Sequence, residues 1–204
     1  MTDVIPLPGG EVEITRPRDA ESLLCEQEFD RDEFLPYWAE LWSSAVALAH
    51  ELSLRSLRGK RTLELGCGLG LPSIAAARAG GRVLASDWSA DAVLATRANA
   101  EQNGVALDAI ECAWASPEPL VERAPWDLVI ASDVLYERRN ADQLLALLPR
   151  LVDARGLVLI ADPGRAAAEH FVERAREQDW IVATRGSPRA GRVSIHRLRS
   201  AAEA

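Results

Sequence analysis

From residue 61 onward, apolar runs of strand length alternate with longer stretches of helical period. R-T-L-E-L (61–65) reads as a strand and runs into the glycine turn G-C-G-L-G. L-P-S-I-A-A-A-R-A (71–79) reads as a helix, with Pro72 in a first turn that needs no N–H from it and Gly80-Gly81 as the stop. The strand R-V-L-A-S-D (82–87) leads to an alanine-rich helix over 89–103, with Ser89 as N-cap and Gly104 as C-terminal stop. Weaker strand character covers 106–112. W-D-L-V-I-A-S-D (126–133) is a buried strand, followed by a helix near 140–152, a strand at 156–162 and a helix near 166–178. Two more strand patterns lie near 180–185 and 192–199.

Strands alternating with helices in this way predict an α/β fold, a mostly parallel sheet with helices on both faces. Only S-P-R-A-G (187–191) separates the last two strands, too short for a parallel crossover, so one strand runs antiparallel. The front of the chain follows a different rule. Glu11–Arg16 alternates as an edge strand does, 19–33 is acidic and irregular, and Tyr37 to Leu54 reads as one helix. We expect residues 1–55 to form an N-terminal appendage packed on a core of 56–204, the whole being a single domain.

Composition narrows the classes of function. The 204 residues are 48% hydrophobic, enough for a full core, and no apolar run approaches the roughly 20 residues of a membrane helix. The first residues lack the basic start and apolar stretch of a secretory leader. Cys25, Cys67 and Cys112 form no C-x-x-C pair, which argues against a disulfide scaffold or zinc site and fits a reducing cytoplasm. His50, His170 and His196 are scattered, with no metal spacing or triad. A net charge of −8 disfavours nucleic-acid coating, which draws on clustered positive charge. Residues 1–60 carry −6, 61–162 carry −5 and 163–204 carry +3, and Lys60 is the only lysine. We expect a monomer without membrane or nucleic-acid partners.

The most informative segment is E-L-G-C-G-L-G, Glu64 to Gly70. A strand feeding a glycine turn that opens a helix leaves backbone N–H groups unpaired at the carboxyl end of the sheet, where ligands bind. The dinucleotide spacing G-x-G-x-x-G fails at Leu71; the spacing here is G-x-G-x-G. Asp87 closes the next strand, where a carboxylate accepts both ribose hydroxyls of an adenosine. A glycine turn without ligand is the competing reading.

E-L-G-C-G-L-G followed by A-S-D-W resembles the S-adenosylmethionine site of seven-strand (class I) methyltransferases. With P-Y-W-A-E-L-W (36–42), W-D-L-V-I-A-S-D-V-L-Y-E (126–137) and A-D-P-G-R (161–165), it resembles the methyltransferase-16 group of protein-lysine methyltransferases. Within that group the similarity is greatest to the branch acting on the electron-transfer flavoprotein β subunit. The resemblance covers residues 34–165 and implies a Rossmann-like, seven-stranded sheet. It implies that Gly66, Gly68 and Gly70 approach the methionine part of the cofactor, with Glu64 just before them. It places Asp87 on the ribose, Trp88 beside the adenine, and Ser132 at the end of the fourth core strand. Trp38 and Trp42, four apart on one expected helical face, help close the site. The family's Asp-Trp pair after the third core strand is here Ala113-Trp114, so the tryptophan is kept and the acid is missing.

Methyl transfer from a sulfonium is an in-line displacement that needs a neutral, aligned nucleophile more than a strong acid. A lysine amine with a reference pKa of about 10.4 is neutral in roughly one molecule in a thousand at pH 7.4, a cost of about 4 kcal/mol. In the resembling family the acid-x-x-aromatic element contacts the substrate amine, which implies that Asp133 orients the ammonium and Tyr136 offers a hydroxyl or a cation–π face. A carboxylate opposes deprotonation, so its contribution is positioning. Asp133 as a loop cap is the competing role. For Cys67, small-residue packing outweighs reactivity. Arg165 in D-P-G-R either presents its guanidinium to the site or makes a structural ion pair. The acidic stretch Asp19–Glu33 reads as a solvated face or as steering for a basic partner. The expectation is an S-adenosylmethionine-dependent methyltransferase acting on a protein lysine. The alternatives are a small-amine N-methyltransferase and a catalytically silent cofactor-binding module. If lysine is the acceptor, Lys60 is the one side chain open to self-modification.

Overall fold

Two strands precede the core: β1 (Thr2–Leu7) and β2 (Gly10–Thr15) form an antiparallel hairpin. The structure, a computed structural model, describes residues 1–18, 37–188 and 190–201; the acidic stretch 19–33 and Cys25 lie outside the described residues. The main sheet holds β3 (Arg61–Leu65), β4 (Arg82–Asp87), β5 (Asp108–Glu111), β6 (Leu128–Ser132), β7 (Leu157–Asp162), β8 (Trp180–Gly186) and β9 (Ser194–Ser200). Their order is β5-β4-β3-β6-β7-β9-β8. All pairings are parallel except those of β9, which runs antiparallel to both β7 and β8. The mostly parallel seven-stranded sheet with one reversed strand agrees with the sequence.

Among the described residues, six helices complete the fold: α1 (Ser43–Ser53), α2 (Leu71–Arg78), α3 (Ala90–Gln102), the single turn α4 (Glu118–Val121), α5 (Arg138–Leu151) and α6 (Ala166–Glu177). Strand alternation divides the core. Leu63, Leu65, Val129, Ala131, Val158 and Ile160 pack with the leucines of α5 and Phe171 of α6. Leu128, Ile130, Leu159 and Ala161 pack with Leu48 and Leu52 of α1 and Ile74 of α2. Burial on both faces explains why these strands read as continuous apolar runs rather than alternating ones.

The expected helix from Tyr37 to Leu54 is corrected: a single 3₁₀ turn (Tyr37–Ala39) is separated from α1 by extended backbone at Trp42. The Tyr37 carbonyl, which a continuous helix would offer to Leu41, instead accepts from the Trp42 indole Nε1–H (2.8 Å) and the Glu40 N–H (3.4 Å). The two tryptophans therefore do not share a helical face.

The hairpin is tied to α3. Thr15 N–H donates to Asn99 Oδ1 (2.8 Å) and Glu13 N–H to Asn103 Oδ1 (3.0 Å). Arg16 pairs with both Asp3 (2.7 Å) and Glu40 (2.9 Å), linking the hairpin to the segment before α1. Strands β3, β4 and β5 wind outward in one direction, and β6 then returns to the other side of β3. Such a reversal opens a crevice beyond the carboxyl ends of the strands, and the site lies there.

Candidate active site

The chain leaves β3 through Gly66-Cys67-Gly68-Leu69-Gly70, and the three glycines have φ of 69°, 50° and 81°. At Gly68 a Cβ would meet the Trp38 carbonyl oxygen at 3.1 Å, and at Gly70 it would meet the Thr96 side chain at 2.8 Å. Left-handed backbone and close neighbours together require glycine there. Helix α3 fixes the loop: Thr96 Oγ1 donates to the Gly68 carbonyl (2.9 Å) and Asn99 Nδ2 to the Leu69 carbonyl (2.9 Å). Asn99 thus joins the loop to the hairpin. Cys67 is buried and its thiol is pushed well above its usual range, first by burial and then by Asp87 and Glu64, so it is unreactive.

Asp87, at the end of β4, is buried and holds the loop from the side. Its Oδ2 accepts from Gly68 N–H (2.9 Å) and its Oδ1 from Ser89 N–H (3.1 Å). Burial raises its pKa, opposed by these N–H donors and that of Trp88. Each oxygen retains a further lone pair for a ligand hydroxyl.

Glu64 lies beneath the loop and does not line the cleft. It is fully buried, accepts from Ser73 Oγ of α2 through Oε2, and leaves Oε1 without a hydrogen-bond partner. Burial dominates and raises its pKa from 4.5 to about 8. Below pH 4.5 the folded and unfolded chains both hold this proton; between 4.5 and about 8 only the folded chain does. Stability from this group therefore falls as pH rises through that window. Glu64→Gln is expected to flatten the decline, measured as melting temperature between pH 5 and about 8.

A cleft of about 710 Å³ opens above the loop. Gly66, Gly68, Gly70, Asp87, Trp88, Trp114, Ser132, Asp133 and Tyr136 line it, as do Trp38 and Trp42 from the front segment. Thus every expected site residue except Glu64 meets in one cavity. Trp88 is exposed and Trp114 half-buried, with Ala113 beside it. The sequence reading missed Tyr37, although it sits in the quoted P-Y-W-A-E-L-W. Its ring lies 5.9 Å from Tyr136 and 6.2 Å from Trp42, making an aromatic edge at the cleft mouth. Half of the Tyr136 ring is exposed, while its hydroxyl is desolvated beside Asn140. Burial raises the phenol pKa, so Tyr136 is protonated at neutral pH.

Asp133 follows β6 in left-handed backbone (φ 61°), its N–H donating to the Ala161 carbonyl of β7 (2.9 Å). Its side chain is 6% exposed and makes an ion pair with Arg165 of D-P-G-R. Neither carboxylate oxygen accepts an aligned hydrogen bond among the described residues. Both oxygens are buried, and with Arg165 against Oδ1 it is Oδ2 that is left without a partner. Lys60 stands apart: it pairs with Asp127 (3.2 Å) just before β3, at the other end of the sheet. The five residues of β3 separate it from the site by roughly 17 Å, so the chain cannot methylate it intramolecularly.

Solved structures share the fold. Over 98% of its length the chain superposes on half (50%) of a T. thermophilus 16S rRNA N2 G1207 methyltransferase in complex with AdoMet and guanosine, with TM-score 0.71 and 15% identity. A ribosomal protein L11 methylase from Lactobacillus delbrueckii subsp. bulgaricus gives TM-score 0.64 at 19% identity, covering 79% of this chain and 80% of that one. The fold is the one these two methyltransferases share. The chain belongs to the lysine methyltransferase family (Methyltransf_16), which it matches over residues 34–178. The electron transfer flavoprotein beta subunit lysine methyltransferase of Danio rerio is 36% identical over 152 residues, 69% of this chain and 55% of that protein. Its Homo sapiens counterpart is 32% identical over 166 residues, 74% of this chain and 60% of that protein. The histone-arginine methyltransferase METTL23 of Xenopus laevis is 33% identical over 123 residues, 57% of this chain and 53% of that protein. The chain thus spans little more than half the length of these relatives.

The residues fit the family's cofactor. The backbone cradle at Gly68 has no room for a side chain, and two carboxylates, Asp87 and Asp133, face a cleft that would receive a cationic sulfonium. A volume of about 710 Å³ is in the range of cofactor pockets.

Proposed function

We propose that the protein transfers methyl groups from S-adenosylmethionine to the side-chain amine of a lysine in another protein. The carrying observation is Asp133, a nearly buried carboxylate that lines the cleft beside an aromatic mouth and whose Oδ2 has no hydrogen-bond partner among the described residues. The family match and the lysine-modifying relatives support the same reading.

S-adenosylmethionine, when bound, would supply a methyl on a positively charged sulfur. The chain's own residues would do the rest. Gly66, Gly68 and Gly70 would hold the methionine end against the loop, Asp87 would take the ribose hydroxyls, and Trp88 and Trp114 would hold the adenine. Tyr37, Trp42 and Tyr136 line the alkyl stem of the entering lysine, and their faces favour a cation. Asp133 aligns the nitrogen, and partial desolvation lowers the cost of its deprotonation. The open, aromatic mouth suits a side chain presented by a protein surface, so the partner is neither nucleic acid nor membrane. The acidic charge balance, with 31 acids against 23 bases, suits a basic partner.

Incubating whole-cell lysate with the enzyme and radiolabelled S-adenosylmethionine tests this. A discrete labelled protein whose label survives as methyl-lysine is the expected result. The electron-transfer flavoprotein β subunit is the first candidate to look for. Label confined to small molecules, or found only on arginine, would sink the reading.

A further inference from the structure

We propose that Arg165 is a positioning residue that lowers the negative charge the substrate amine meets, so that Asp133 orients the amine without locking it in the ammonium form. This role rests on the lysine-transfer reading above.

Arg165 Nη1 contacts Asp133 Oδ1 and lies 3.4 Å from Asp162 Oδ2. The two acids come from adjacent strand ends. Asp133 is 6% exposed and Asp162 fully buried, whereas the Arg165 side chain is 29% exposed. The turn that delivers the guanidinium is built by the same carboxylate: Asp162 Oδ1 accepts from Gly164 N–H (2.7 Å) and Arg165 N–H (2.8 Å). Gly164, with φ of 89°, permits the reversal. Asp162 therefore fixes the turn with one oxygen and meets the charge it presents with the other.

Two carboxylates and one guanidinium leave one net negative charge, a match for one substrate ammonium. Without Arg165 the pair would carry two. The ammonium would then be held more firmly, and losing its proton to solvent, which must precede nitrogen attack on the methyl carbon, would become harder. The pairing with Asp133 is ionic rather than an aligned hydrogen bond and engages Oδ1, so Oδ2 is the oxygen left for the amine. Among the described residues, the other ionisable groups lining the cleft are Tyr37, Glu40, Cys67, Asp87, Cys112, Tyr136, Glu137 and Arg139, with Glu64 beneath it and His196 of β9 near Asp162. Arg165 itself does not line the cleft. Changing it thus removes charge from the acid pair while leaving the cofactor's surroundings in place.

The test compares the unsubstituted enzyme with Arg165→Gln and Arg165→Lys, using radiolabelled S-adenosylmethionine and whole-cell lysate protein between pH 6.5 and about 10. For Arg165→Gln the acid limb of the transfer rate should move up by about one pH unit. That is the order expected on removing a unit charge about 6 Å away at an effective dielectric of about 40, between the protein-surface and bulk-water values. The rate would fall about tenfold at pH 7 and recover in the alkaline range. Arg165→Lys, which keeps the charge, should hold the limb within about half a unit. Affinity for S-adenosylhomocysteine, measured by calorimetry, should stay within about twofold in both variants and show that they fold. An unmoved limb in Arg165→Gln, or an equal loss at every pH, would overturn the role while leaving lysine transfer intact. No protein-bound label from the unsubstituted enzyme at any pH would overturn the lysine-transfer reading itself, and this role with it.

Discussion

Asp133→Asn is expected to abolish methyl transfer while leaving cofactor affinity within about twofold. Asparagine is the cleaner substitution because residue 133 has a φ of 61°. Asparagine tolerates left-handed backbone, whereas alanine there adds about 1–2 kcal/mol of strain unrelated to chemistry. What asparagine lacks is the charge that holds a cationic amine in line with the methyl–sulfur bond, and it would leave Arg165 with Asp162 as its one acidic partner. Removing one member of a desolvated charge pair typically costs about 3–5 kcal/mol, so single-turnover rates should fall by roughly a hundredfold to several thousandfold. Calorimetry with S-adenosylhomocysteine separates this from a damaged cofactor site. A parallel collapse of affinity would assign Asp133 to the cofactor and not to the amine.

Asp87→Ala should act the opposite way, with the cofactor lost first. The carboxylate holds Gly68 N–H and Ser89 N–H, and its loss removes both anchors together with the acceptors for the ribose. Hydrogen bonds to a charged group are worth about 1.5–3 kcal/mol each, so affinity should drop by at least about a hundredfold. The melting temperature should fall as well, because buried loop N–H groups lose their partners. Asp87→Asn keeps one acceptor oxygen and should fall between the two. Unchanged affinity in Asp87→Ala would place the ribose elsewhere.

The parallel core was legible in the chain because both faces of β3, β6 and β7 are covered, which forces continuous apolar runs. The glycine loop was legible because left-handed backbone at three nearby positions leaves glycine as the one residue without penalty. The short linker before β9 disclosed the reversed strand. Other features carried no such signature. Strand β1 has no buried residue and contains Pro6, so its pattern gives no apolar face. Helix α4, four residues long, spans barely one turn, too little for its period to repeat. The break before α1 depends on the Trp42 indole taking a backbone carbonyl, a contact without a linear pattern. The same holds in the site. The acids Asp133 and Asp162 and the cation Arg165 lie on two segments, and only the β6–β7 pairing makes them one cluster. Glu64, next to the glycines in sequence, points instead into the face covered by α2.

The lone lysine at the amino ends of the strands turns the chain into a clean instrument. An amine-reactive dye or a surface-coupling linker directed at side chains has one address, Lys60, whose side chain is 57% exposed. A label placed there sits at the far rim, leaving the aromatic entrance unobstructed for binding assays on a sensor surface. Any methyl-lysine found on the enzyme itself would record an encounter between two molecules, so its yield should scale with enzyme concentration.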